Sequence, residues 1–166
     1  MNIIVIVFSI FILFVIPINF IFIQAHIPDD YPGVVVKNVD EYKVKLLPYP
    51  KEPLTNDNST KLNFNIQKDG LDVIGLFASI IIKDKKTDSI LDQIPYKFYP
   101  VGDFLIDYIF TNSSDYEILL QTKINSDPKY ETVPLITNFD ITVKDSGDFL
   151  GSVFDFLNPF IILLFT

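Results

Sequence analysis

One histidine, no cysteine, scattered carboxylates and serines make up the metal-binding and nucleophilic repertoire of this 166-residue chain. His26 directly follows Ala25, a small residue at which an export signal could be cut. Cutting there would leave an amino-terminal histidine, whose amine and imidazole together suit Cu(II). Further ligands would have to be carboxylates such as Asp29 or Asp30, or come from a partner. A juxtamembrane histidine with no metal role is the commoner case. The absence of cysteine removes disulfides, thiolate metal sites and thiol nucleophiles together. A nucleophilic serine needs a base beside it. His26 is far in sequence from the serines of the middle region, and no G-x-S-x-G occurs.

The carboxylates are loose neighbours: Asp29 with Asp30, Asp69 with Asp72, Asp84 with Asp88, and Asp145 with Asp148. Such spacing is ordinary for solvated turns, and calcium would be held only if separate loops met. The six glycines form neither a phosphate-binding nor a dinucleotide-binding fingerprint. No catalytic residue and no cofactor is therefore expected, and the chain reads as a non-enzyme. Its net charge is −8, from 21 acids against 13 bases, and every base is lysine. Without arginine forks, and with a field that repels polyanions, nucleic acid is excluded as a partner. Two triplets, Asn58-Ser59-Thr60 and Asn112-Ser113-Ser114, match the N-glycosylation acceptor pattern and sit in turn-like stretches.

Two apolar stretches without lysine bracket all of these residues. Ile3–Ile23 has 21 residues interrupted only by Ser9, Pro17 and Asn19, enough for roughly 30 Å of helix and hence a bilayer core. Its first part, up to Ile16, also fits a cleaved signal, so anchor and signal both stand. Phe149–Phe165 has 17 residues, with Asp155 inside it and Asn158-Pro159 near its middle. A carboxylate is costly against lipid, so Asp155 is expected to contact a protein partner, water or the interface. A tail docked on its own domain is the alternative to a span. The layout is thus 1–25 as a transmembrane anchor or signal, 26–147 as an exported domain, and 148–166 as a membrane segment. The domain is expected on the extracytoplasmic face.

The middle alternates at period two, the strand signature. Tyr42, Val44 and Leu46 oppose Lys43 and Lys45; Leu62, Phe64 and Ile66 oppose Lys61, Asn63 and Asn65. Gly102–Phe110, Tyr116–Ile124 and Leu135–Val143 continue the pattern. Val73–Ile82 is nearly all apolar, as for a central strand covered on both faces. About seven short strands separated by Pro, Asn, Asp and Gly turns predict a mainly β, antiparallel sandwich of immunoglobulin type, flanked by N- and C-terminal membrane helices. Pro95-Tyr-Lys-Phe-Tyr-Pro100 reads as an edge or connector, with its aromatics half-buried in the packing. Asn112-x-Ser114-x-Tyr116-x-Ile118 marks Tyr116 as a candidate tyrosine corner, its ring packed and its hydroxyl bonded to nearby backbone.

Tyr42–Pro53, Ser59–Ile66, Gly102–Phe110 and Tyr116–Thr122 together resemble the immunoglobulin-like domains of small exported bacterial and archaeal proteins. Among these are copper-trafficking and oxidase-assembly families of the CopC, FixH and YtkA kind. The Asn, Ile, Lys and Phe content is similar to that of membrane-anchored proteins of ammonia-oxidising archaea. Those copper families rely on histidine and methionine ligands that this chain lacks, so only His26 inherits any metal expectation. Membrane lipid and other membrane-protein subunits are the expected partners. The expected role is a non-catalytic accessory subunit or assembly factor of a membrane complex. A solitary adhesion or envelope-binding module is the alternative, and a copper-handling protein using His26 is the third reading.

Overall fold

A computed structural model describes residues 27–147. Both apolar segments, His26 and Asp155 lie outside the described residues. Among the described residues there are nine strands: β1 (Val35–Val39), β2 (Tyr42–Tyr49), β3 (Lys61–Lys68), β4 (Leu71–Asp72), β5 (Ile74–Asp84), β6 (Ser89–Val101), β7 (Asp103–Asp107), β8 (Ser114–Ile124) and β9 (Leu135–Val143).

They build two antiparallel sheets. The first runs β1-β2-β3, and the far edge of β3 takes β7 along Lys61–Asn65 and the short β4 at Gln67–Lys68. The second runs β6-β5-β8-β9. The sheets face each other across one core, into which period-two alternation points every second residue. Val44, Leu46, Leu62, Phe64 and Ile66 enter from the first sheet; Leu76, Ile80, Ile82, Ile118, Leu120 and Phe139 enter from the second. Phe64 meets Phe104 at 5.4 Å and Phe139 at 6.2 Å between ring centroids, which ties the layers together.

One backbone node locks the crossings between sheets. Ile66 N–H donates to Gly102 O (2.8 Å), Gly102 N–H to Val73 O (2.7 Å), and Val73 N–H to Ile66 O (3.0 Å). A Cβ at Gly102 would stand 2.3 Å from the Ile66 carbonyl oxygen, so only glycine fits.

Two expectations need correction. β5 is central, yet it is covered on one face only: Phe77 is 38 % exposed and Ile81 half-buried on the outer side. Its unbroken apolar run therefore reflects a partly bare outer face rather than double coverage. The Pro95–Pro100 stretch lies in the 13-residue edge strand β6, and of its aromatics only Tyr99 packs inward; Tyr96 and Phe98 are exposed. Strand alternation sends adjacent rings to opposite faces, which a cluster of aromatics in sequence conceals.

Candidate interaction surface

The outer face of the second sheet carries several apolar residues that the core does not use. Phe98 on β6 pairs with Phe77 on β5, their ring centroids 5.3 Å apart. Ile81 on β5 lies beside Leu119 on β8, and Ile136 on β9 beside Gln121. Tyr96 completes the set; its hydroxyl donates to Gln121 Oε1 at 3.1 Å, and the Lys123 ammonium stands 5.1 Å from its ring centroid. Phe77, Tyr96, Lys123, Asn125 and Glu131 line an open groove of about 400 Å³. Soluble monomers rarely expose contiguous apolar faces, and aromatic residues are enriched at protein interfaces.

At one end of the sandwich the β2–β3 loop, the β7–β8 connection and the exit from β9 come together. Thr55 N–H donates to Lys144 O (2.9 Å), Lys144 N–H to Pro53 O (3.0 Å), and Asn56 N–H to Phe110 O (2.7 Å). Tyr116, at the start of β8, is buried against Phe110 and donates its hydroxyl to the Asn112 carbonyl at 2.6 Å. Asn58 and Asn112 are both exposed here and line one cavity of about 610 Å³ with Leu91, Tyr108 and Ile109. The Tyr108 phenol is pushed up to about 12, chiefly by burial and next by the charge of Asp92. Asp84 is occupied as a turn acceptor, taking the N–H groups of Lys86 and Thr87 at 2.9 Å each and the Ser114 hydroxyl at 2.8 Å. Among the described residues no cluster of three or more His, Cys, Asp or Glu could hold a metal ion.

A third feature had no signal in the sequence. Lys45 reads as an outward, solvated lysine, yet it is 1 % exposed. Residues 27–30 fold across the outer face of the first sheet and cover it. Its ammonium donates to the Ile27 carbonyl (2.7 Å) and pairs with Asp29 (2.7 Å), which also pairs with Lys43 (2.5 Å). Hydrogen bonds from Lys43 and Lys45 hold the Asp29 carboxyl down at about 2. Beside Lys45 in register is Asn65, fully buried, whose amide donates to Asp72 (2.8 Å) while its Oδ1 has no partner.

At the opposite end, Tyr42 donates to Asp127 (2.7 Å) and packs edge-on against Tyr130, whose hydroxyl donates to Asp40. Asp40 also holds Lys129 at 2.5 Å. These contacts join the β1–β2 turn to the β8–β9 loop and brace the fold.

No protein-family profile matches the sequence, and no curated protein matches it. Among solved structures, the chain is similar to the PmoD soluble domain from Methylocystis sp. ATCC 49242 (Rockwell). Identity is 17%, coverage is 65% of this chain and 95% of that one, and the TM-score is 0.43. That likeness is too slight to carry function. The resemblance to copper-trafficking families has no family match behind it.

Proposed function

We propose that this chain is a non-catalytic accessory subunit or assembly factor of a membrane protein complex, with its β-sandwich on the extracytoplasmic face. The outer face of the second sheet is its docking surface for a neighbouring protein subunit. The carrying observation is that face: Phe77, Ile81, Tyr96, Phe98, Leu119 and Ile136 lie exposed or half-buried together across all four strands. The aliphatic and aromatic side chains match the desolvated centre of a protein interface, and the charges beside them, Lys123 and Glu131 in the groove and the Lys83–Glu117 pair, match its polar rim. The strand order, β2-β3-β7 facing β6-β5-β8-β9, supports reading the sandwich as immunoglobulin-like. The apolar sequences flanking the domain support the membrane location.

The test is native mass analysis of the full chain extracted from its own membranes in mild detergent. The wild-type chain is expected to migrate with a partner at fixed stoichiometry. Phe77→Asp with Phe98→Asp is expected to abolish that association while leaving the circular dichroism and melting of the purified chain unchanged. A wild-type chain that runs as a free monomer would sink the proposal.

A further inference from the structure

We infer that the end of the sandwich from which the chain leaves toward Phe149 rests on the lipid headgroup layer, with Tyr31, Tyr49 and Lys51 seated in it. This builds on the membrane reading above and goes beyond it by fixing which end of the domain meets the bilayer, and through which side chains.

Chain geometry carries the argument. Lys144 forms a parallel bridge with Leu54, and Ser146 N–H donates to Thr55 Oγ1 at 3.1 Å, so the exit is stitched to the β2–β3 loop. The apolar sequence begins at Phe149, two residues beyond Gly147. Two residues span at most about 7 Å, so no linker lets this end stand away from the membrane. On the other side, Lys45 holds the Ile27 carbonyl only four residues after the first apolar stretch ends at Ile23.

The chemistry of this end suits a lipid interface. Tyr31 is 51 % and Tyr49 65 % exposed, and with Pro32, Pro50 and Lys51 they line an open cavity of about 430 Å³. Tyrosine has an apolar ring and a wet hydroxyl, which places it at the headgroup level, and a neighbouring lysine lays its stem along the ring zone while its ammonium reaches phosphate. The opposite end also exposes apolar residues, Leu71 at 71 % and Val133 at 65 %, so apolarity alone does not choose. The chain exit does. Acids at the exit end, among them Asp57, Asp92 and Asp107, favour a zwitterionic surface over an anionic one.

A cysteine-free chain allows one label at a time. Full-length Tyr49→Cys, Lys51→Cys, Leu71→Cys and Val133→Cys chains, each carrying one environment-sensitive fluorophore, are reconstituted in phosphatidylcholine vesicles. A headgroup-spin-labelled lipid then serves as quencher. Quenching several-fold stronger at 49 and 51 than at 71 and 133 is the expected result. Equal quenching at both ends, or stronger quenching at 71 and 133, overturns the docking. Flotation separates this from the parent reading. A chain that floats with vesicles but is unquenched at 49 and 51 refutes only the docking, whereas a chain that fails to float refutes both.

Discussion

Lys45 shows how far one side chain's environment can depart from its local sequence. Its neighbours Val44 and Leu46 point to the core, so alternation places it outward, and a lysine there is ordinarily solvated. It is buried because Ile27–Asp30 arrive from elsewhere in the chain, a tertiary event that no local pattern encodes. Tyr116 is the opposite case: the spacing Asn112-x-Ser114-x-Tyr116 marks it locally, and its hydroxyl reaches the Asn112 carbonyl. The buried ammonium is satisfied by the Ile27 carbonyl and Asp29, so the contact holds the leading segment in place. Lys45→Met keeps the apolar stem and removes the donor. Amide exchange at Tyr31 and Val34, whose N–H groups bond within that segment, is expected to quicken by about tenfold or more, while β3 and β8 amides are unchanged. Unchanged exchange at Tyr31 and Val34 would show that the ammonium is dispensable for the clasp.

At the scale of elements, strands with one buried and one outward face are the most legible in the sequence, and the connections the least. β2, β3, β8 and β9 alternate cleanly because each has one face on the core and one outside. β6 was obscured by Pro95 and Pro100, which suit an edge but interrupt the expected pattern. β4 has only two residues, too short to show any period. The exposed apolar outer face is illegible for a related reason: Phe77 and Phe98 meet only through register, 21 positions apart in sequence. Gly102 belongs to this scale too, because it lets β3, the β4–β5 junction at Val73 and the β6–β7 turn approach within hydrogen-bonding distance. Gly102→Ala forces a methyl group against the Ile66 carbonyl and is expected to cost about 1–3 kcal/mol, with displaced backbone at Ile66 and Val73. Urea unfolding read by fluorescence checks the magnitude, and a cost below about 0.5 kcal/mol would mean that the crossing relaxes freely.

For the whole molecule, acids and phenols shift in opposite directions, and together they frame the pH range of the fold. Asp29, Asp40, Asp84 and Asp127 are all held below the ordinary carboxylate range by hydrogen bonds. A carboxyl that is more acidic when folded stabilises the fold above its unfolded value, near 4, and that contribution is lost as the pH falls through the folded value. Tyr42 and Tyr108 are shifted upward, chiefly by burial, so their stabilisation is present below about pH 10 and is lost as the pH rises beyond it. The urea midpoint is therefore expected to be flat between about pH 5 and 9 and to fall on both sides. Tyr42→Phe should lessen the alkaline fall specifically; an identical alkaline limb would assign that loss to other groups. The sandwich and its antiparallel strands could be anticipated from composition and period, but the order in which strands join could not, because it is decided by long-range closure. That order has a consequence during synthesis. Asp107 pairs with Lys61, 46 residues earlier, so the edge of β3 stays open until β7 has left the ribosome. At about 5–20 residues per second, the wait is of the order of seconds. During that wait the nascent chain carries an unpaired, phenylalanine-bearing strand, which a holding factor or prompt delivery to a partner would protect from aggregation.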